Sequence, residues 1–203
     1  MEKSEDIKSQ ILESIKAKQL LLETETQNIE LVSNLIIQAY KNNKKVLIFG
    51  NGGSAADSQH FVAELVNKFK IHRKPLPALA LTTDTSILTS IGNDSSFDEI
   101  FQKQIEAHCN KDDIVIAITT SDISKEKHGH STNIYKGILA AKEKEAIVIG
   151  LLSIKGIEIG NLVDYSIKVP SIDTQRIQES HILILHIICY LVEKELFKDD
   201  KHY

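Results

Sequence analysis

The most informative segment of the chain reads Phe49-Gly50-Asn51-Gly52-Gly53-Ser54-Ala55-Ala56-Asp57-Ser58-Gln59-His60-Phe61-Val62-Ala63-Glu64. The apolar residues at 46–49 predict a buried strand, and the residues after the glycines predict a helix with Ser54 as its N-cap. Glycine lets the backbone approach a ligand closely, and the first N–H groups of a helix attract anions. The segment therefore predicts a strand–turn–helix unit that binds an anion, of which phosphate is the commonest.

The predicted helix carries a second feature, the pair His60 and Glu64. Residues four apart lie on one helix face, so the imidazole and the carboxylate are expected side by side. Such a pair can bind a metal ion or share a proton transfer, although an ordinary surface helix also explains it. The glycine pattern is neither G-x-G-x-x-G nor a P-loop, so it does not indicate a dinucleotide or a nucleoside triphosphate.

Composition limits the possible classes of protein. The chain has 203 residues with 42% hydrophobic and 26% charged residues, enough for one α/β domain with a sizeable core. A net charge of −4 argues against a nucleic-acid partner. The N-terminus lacks a signal peptide, and the longest apolar run, 182–192, is too short to span a bilayer. Cys109 and Cys189 have neither metal-site nor disulfide spacing, so we expect a cytoplasmic protein without a membrane partner.

Apolar periodicity predicts the order of the remaining elements. Residues 1–42 predict two helices whose apolar stripes pack on the domain itself or on a second subunit. Strands are predicted at 46–49, 78–82, 114–118, 146–151 and 165–169, with helices between them. One of these is a short helix after residue 84, closed by Gly92. This alternation predicts a five-stranded parallel sheet flanked by helices.

The last predicted helix runs from Ser171 or Thr174 to Phe197. It is apolar nearly all round over 182–192, so we expect it to be buried, partly between subunits. A lone histidine in such a helix is more often a hydrogen-bonded core residue than a ligand, and His181 is predicted to be one. From its position in the helix alone, His186 would also be predicted to be a core residue.

Three polar loops follow the first three predicted strands: Gly52-Gly53-Ser54, Thr82-Thr83-Asp84 and Thr119-Thr120-Ser121. Ligands of parallel sheets bind beyond the carboxyl ends of the strands, so these loops are expected to converge on one phosphorylated ligand. The third loop continues to about residue 133 and is unusually long. We expect it to be mobile without ligand and to close over the phosphate, with His128 and His130 as surface residues.

Several segments together resemble the phosphoheptose isomerases of the sugar isomerase (SIS) domain superfamily. They are residues 50–65, residues 81–94, and Arg176-Ile177-Gln178-Glu179 with His181 and His186 behind; order and spacing fit over about residues 25–197. The resemblance implies a single SIS domain over 1–203, with residues 1–42 as N-terminal helices. It also implies homotetramers, with active sites near subunit interfaces.

The resemblance implies aldose–ketose isomerisation of sedoheptulose 7-phosphate to D-glycero-D-manno-heptose 7-phosphate, for the heptose of bacterial lipopolysaccharide or capsule. Zinc ligands are implied at His60, Glu64, Gln178 and His186, and the acid–base pair at Glu64 and His186. The implied substrate contacts, which include the phosphate contacts, are Asn51, Gly52, Gly53, Ser54, Glu64, Asn93, Asp94, Thr119, Thr120, Ser121, Ser124 and Gln178.

The chain departs from the family pattern at three places. After Ser121 the family's Gly-Asn-Ser is replaced by Asp122-Ile123, so that either Ser124 or Ser131 could be the last phosphate serine. Asp122 would repel a phosphate unless its carboxylate points away. Lys68 stands where the family usually has arginine, and Ser95 replaces an aromatic residue. These changes affect the phosphate end and leave the metal and acid–base residues in place.

Two other functions fit the same residues. One is a non-catalytic SIS protein, such as a sugar-phosphate-sensing regulator or a protein that binds a replication initiator. The other is an isomerase acting on a different sugar phosphate. The presence of His60, Glu64, Gln178 and His186 together favours an enzyme over a regulator.

Overall fold

The computed structural model describes residues 3–123 and 131–198. Two helices come first, and strands and helices then alternate to the C-terminus. The elements are α1 Lys3–Thr24, α2 Thr26–Lys41, β1 Val46–Gly50, α3 Gly53–Val66, β2 Ala78–Ala80, α4 Thr85–Asp94, a 3₁₀ turn Phe97–Glu99, α5 Ile100–His108, β3 Ile114–Ile118, α6 Thr132–Glu143, β4 Ile147–Ser153, α7 Ile157–Gly160, β5 Tyr165–Val169 and α8 Thr174–Leu196.

The strands form one parallel sheet in the order β2-β1-β3-β4-β5. All five predicted strands are present, although β2 is shorter than predicted and β4 extends two residues further. Strand β1 lies between β2 and β3, so the connection from β1 to β2 and the connection from β2 to β3 run in opposite directions across the sheet. The crevice of such a sheet lies where the strand order reverses, so the loops after β1 and β3 flank the expected ligand position.

Helices cover both faces of the sheet and divide the core into two clusters of buried side chains. One cluster joins residues of α2, α3 and α8 to the sheet. The other joins α5 and α6 to the opposite face, where the rings of Phe49 and Phe101 stack with centroids 4.7 Å apart. Cys109 and Cys189 are both free and buried. Within the described residues, no helix is long and apolar enough to cross a membrane.

Helix α1 is only weakly packed on its own domain. Only Ala17 and Leu21 of this helix are buried. The polar contacts that join it to α8 include the Arg176 guanidinium, which donates to the Gln10 carbonyl at 2.6 Å, and the Ser14 hydroxyl, which donates to Glu179 at 2.6 Å. The stripe of large apolar side chains that α1 leaves exposed consists of Ile7, Ile11, Leu12, Ile15 and Leu22.

Two local predictions were wrong. Ser54 is not the N-cap of α3, because the helix begins at Gly53 and its N-cap is Gly52, with φ of 56°. Gly92 does not close α4, which continues to Asp94. In the single chain the segment 182–192 of α8 is mostly covered and Tyr190 is 40% exposed, so its predicted burial between subunits stays a prediction. A turn with positive φ explains the first error, because it lets helical hydrogen bonding start at Gly53.

Candidate active site and metal centre

Helices α3 and α8 bring three side chains together, which we call the His–Glu–His cluster: His60, Glu64 and His186. On α3, the His60 Nε2 lies 3.1 Å from the Glu64 Oε1, as the four-residue spacing predicts. The His186 Nε2 on α8 lies 3.2 Å from the His60 Nε2. His60 is exposed and the other two side chains are half-buried, so the cluster faces an accessible surface.

The cluster fits a metal ion by donor type and by spacing. Its potential ligand atoms, one from each residue, all lie within 4.8 Å of one another. Two imidazole nitrogens and a carboxylate oxygen are donors that zinc takes in catalytic sites, with a fourth position left open. Ligands bound to a tetrahedral zinc ion lie roughly 3.3 Å apart, close to the observed separations within the cluster. The residues present could therefore hold zinc.

The ring of His186 is held between two other rings. The His60 ring meets it edge-on, with centroids 4.9 Å apart and an interplanar angle of 69°. The Phe69 ring stacks on it, with centroids 5.7 Å apart and an angle of 26°. Because both rings restrict its rotation, the Nε2 of His186 stays directed at the cluster.

Gln178 lies at the N-terminal end of α3. A Cβ added to Gly53 would fall 2.4 Å from the Gln178 Nε2, so the side-chain amide lies directly against the glycine backbone. A side chain at position 53 would have to displace this amide. The amide and the first N–H groups of α3 therefore face the same space.

The turn after β1 is joined to the start of α6. Asn51 and Asn133 exchange two amide hydrogen bonds, each of 2.9 Å. Asn133 is buried, although it had not been predicted as a site residue. A Cβ added to Gly50 would come within 2.9 Å of the Ile118 carbonyl oxygen, so the β1 and β3 loops approach closely at this point.

The loop after β3 places its hydroxyl groups beside that turn. The Thr119 hydroxyl oxygen accepts from the Ser121 N–H at 3.2 Å, and the Ser153 hydroxyl donates to the Thr120 carbonyl at 3.2 Å. Ser131 has φ of 65° and precedes α6 without a side-chain cap. Ser124, His128, His130 and the predicted loop closure lie outside the described residues.

The carboxylate of Asp122 is directed at the short helix α7. It accepts backbone N–H groups of Ile157, Glu158 and Ile159 at 3.0–3.1 Å, and so caps the short helix α7. Partial burial works to raise the pKa of Asp122, but these hydrogen bonds outweigh it and lower the pKa. The charge of Asp122 is therefore stabilised by the N-terminus of α7.

Asn93 and Asp94 lie in the last turn of α4 and are exposed. The Asn93 side-chain amide donates a hydrogen bond to the Asp94 carboxylate at 2.7 Å, so these two side chains contact each other. Lys68 lies 3.3 Å from His72, and Ser95 accepts from Lys103 at 2.6 Å. The structure does not bring these residues to the His–Glu–His cluster.

Two titratable groups near the site have strongly shifted pKa values. Asp57, one turn before His60, was not singled out from the sequence; burial raises the pKa of its carboxyl to about 6, partly countered by His60. Its Oδ2 is buried without a hydrogen-bond partner among the described residues.

His181 is a core residue, as predicted. Its Nε2 lies 3.0 Å from the Leu152 carbonyl, and burial lowers its pKa to about 4.

Comparison with known proteins agrees with this geometry. Residues 4–153 match the SIS domain family. The chain is 50% identical to a phosphoheptose isomerase from Geotalea daltonii over 193 residues, which cover 95% of this chain and 97% of that one. A solved phosphoheptose isomerase from Francisella tularensis superimposes with a TM-score of 0.89 at 36% identity, covering 96% of this chain and all of the other. Its counterpart from Neisseria gonorrhoeae gives 0.86 at 38%, covering 94% and 98%.

Proposed function

The chain belongs to the phosphoheptose isomerases of the SIS domain family, and from this premise we propose the reaction that it catalyses. It is an aldose–ketose isomerase that interconverts sedoheptulose 7-phosphate and D-glycero-D-manno-heptose 7-phosphate. The observation that carries this proposal is the His–Glu–His cluster, formed on α3 and α8 beside the glycine turn after β1.

We propose zinc as the metal of the cluster, held by His60, Glu64 and His186. Gln178 is proposed as a further ligand, and to reach the ion its amide would have to leave its place against Gly53. Zinc at this position would polarise the substrate carbonyl as a Lewis acid. Elemental analysis of purified protein should find zinc, and a His60→Ala/His186→Ala double variant should lose it. His108→Ala, at the end of α5, is the control. Equal zinc in the double variant and the wild type would contradict the assignment.

Glu64 and His186 are suited to the proton transfers of isomerisation. A base must take a proton from the carbon next to the carbonyl, and an acid must serve the adjacent oxygen, which gives a cis-enediol. A carboxylate and an imidazole can share this work near neutral pH. We assign the carbon-bound proton to Glu64 and the oxygen to His186.

The phosphate of the substrate is proposed to bind at the N-terminus of α3 and the loop after β3. The free N–H groups of the helix and its positive dipole end favour an anion there. The turn after β1 and the loop after β3 supply further backbone and hydroxyl donors. The proposed substrate contacts are Asn51, Gly52, Gly53, Ser54, Glu64, Asn93, Asp94, Thr119, Thr120, Ser121, Ser124 and Gln178.

Direct assay tests the proposed reaction. Purified protein is supplied with sedoheptulose 7-phosphate, and the heptose 7-phosphate product is followed by NMR. Sedoheptulose without phosphate and a pentulose phosphate form the comparison arms. We expect turnover of the heptulose phosphate only. Turnover of another sugar phosphate alone would assign the site to a different isomerisation. If none of the three sugars is turned over, the proposal that the protein is an isomerase is contradicted.

We also propose that the protein is a homotetramer. The apolar stripe of α1, exemplified by Ile7 and Leu12, is exposed in the single chain, at 60% and 62%. Burying such a stripe against another subunit removes apolar surface from water. Light scattering at micromolar concentration should therefore give the mass of four chains, and a stable monomer would contradict this proposal.

We propose that the enzyme is cytoplasmic. Its product would supply the heptose of lipopolysaccharide or capsule. Deleting the gene should then remove heptose from the surface polysaccharide of the source bacterium. A surface polysaccharide with unchanged heptose content would contradict this role without affecting the catalytic assignment.

A further inference from the structure

The segment between α3 and β2 is fixed by one buried carboxylate. Glu193, on α8 two turns beyond His186, is 3% exposed. Its two oxygens accept the backbone N–H groups of Phe69 at 2.9 Å, Lys70 at 2.7 Å and Ile71 at 3.0 Å. Burial works to raise the pKa of Glu193, but these bonds and Arg73 outweigh it and lower the pKa, so the carboxylate is charged.

A buried guanidinium continues the network from that carboxylate to α3. The Arg73 Nε donates to the Glu193 Oε2 at 2.9 Å, and Arg73 is 7% exposed. Its terminal nitrogens donate to the Leu65 carbonyl at 2.8 Å and to the Glu64 carbonyl at 2.7 Å. Arg73 therefore joins α8 to the last turn of α3, at the residue whose side chain enters the His–Glu–His cluster.

The network reaches both halves of the cluster. Through Arg73 it holds the main chain of Glu64, and through the backbone of Phe69 it holds the ring that stacks on His186 at 5.7 Å. Groups that orient metal ligands typically change metal affinity or activity by roughly 10–100-fold when removed. Breaking a buried ion pair also destabilises the fold, so a purely structural role must be distinguished.

We propose that Arg73, Glu193 and Phe69 are positioning residues for the His–Glu–His cluster, setting Glu64 and His186 at the separation that metal binding and proton transfer require. This inference rests on the proposed isomerase function of that cluster. None of the three residues is assigned a contact with substrate, and they act through the two helices that carry the cluster.

Two substitutions test separately the connection through Phe69 to His186 and the connection through Arg73 to Glu64. Phe69→Leu removes the ring on His186 and leaves the backbone N–H that Glu193 accepts. Arg73→Lys keeps the positive charge and loses the planar fork that reaches the α3 carbonyls. The matched control is Asp113→Asn. That carboxylate is 2% exposed, pairs with Lys45 at 2.5 Å and accepts the Asn110 N–H, and it joins the residue before β3 to the residue before β1.

The experiment measures zinc affinity by competition with a chromophoric chelator, together with turnover, inhibition by inorganic phosphate and thermal unfolding. We expect Phe69→Leu and Arg73→Lys to weaken zinc binding and lower kcat by roughly 10–100-fold, with phosphate inhibition unchanged. Asp113→Asn should lower the melting temperature and leave zinc affinity and kcat at wild-type values.

Wild-type zinc affinity and kcat in both site variants would overturn the inference, whatever their melting temperatures. If Arg73→Lys fails to fold, Phe69→Leu alone decides, because a half-buried ring can be shortened without unpairing a charge. Wild-type protein that binds no zinc would contradict the metal proposal instead, and the kcat comparison would still decide whether the cluster is positioned by this network.

Discussion

The two sides of the candidate site are built differently. On the helix side, His60, Glu64 and His186 project from α3 and α8, which are joined by buried contacts such as Arg73 with Glu193. On the loop side, the turn after β1 and the segments around β3 and α6 are joined mainly by the Asn51–Asn133 pair. Preorganised groups suit proton transfer, whereas adaptable loops suit substrate entry and release. The difference predicts that stability and chemistry depend on the helix side, and affinity on the loop side.

The acid sensitivity of the helix side is the largest effect expected. His181 ties α8 to β4 as a neutral ring with a pKa of about 4, against 6.5 in the unfolded chain. Because the folded pKa is depressed, stability is fully present above pH 6.5 and is lost as the pH falls toward 4, by about 3 kcal/mol. His181→Gln can still donate to Leu152 and cannot titrate. Urea unfolding between pH 7 and 4 should therefore show a steeper decline for the wild type.

Parallel pH profiles for the two proteins would mean that His181 does not carry this effect. The claim that stability depends on the buried contacts of the helix side would then lack support from this residue.

The loop side is expected to respond in substrate affinity. Asn133→Ala removes the two amide bonds to Asn51, worth about 2 kcal/mol in total, and lets the turn after β1 move. KM should rise by roughly tenfold, while kcat changes little. Asn28→Ala, which removes a hydrogen bond to Glu25 on α2, is the control. A fall in kcat with unchanged KM would show that the loop side takes part in chemistry and would break the comparison.

The smallest effect is expected at Asp122. Asp122→Asn weakens the cap on α7 and should cost about 1 kcal/mol of stability. Since the carboxylate faces α7, removing its charge should leave KM for the sugar phosphate unchanged. Thermal unfolding and steady-state kinetics measure the two quantities. A clear fall in KM on removal of the charge would show that Asp122 repels the phosphate after all.

The sequence allowed the fold to be predicted well because strand and helix periods are local. The runs at 46–49 and 114–118 are apolar and short, so their strands could be placed almost to the residue. The pairing of His60 with Glu64 followed from one helical turn. Errors arose where a single backbone angle decides, as at Gly52, whose positive φ lets α3 start two residues earlier than a Ser54 cap predicts.

The rest of the site depends on contacts between distant residues. His186 is 126 residues from His60, and its place in the cluster followed from the family resemblance and not from periodicity. Arg73 and Glu193 carried no sequence signal, since an arginine in a loop and a glutamate late in a helix are ordinary. Asp57 had a detectable signal, its three-residue spacing from His60, which places both on one face of α3.

The central claim is that Glu64 takes the carbon-bound proton on the helix side while the loop side holds the phosphate. Glu64→Gln keeps size and hydrogen bonding and removes the basic carboxylate. Its zinc content, its affinity for sedoheptulose 7-phosphate and its kcat are measured on one preparation, because Glu64 is also a proposed ligand. With zinc and substrate binding at wild-type values, the account predicts a fall in kcat of roughly 10²-fold or more. Near-wild-type kcat in that protein would contradict it and leave His186 as the base.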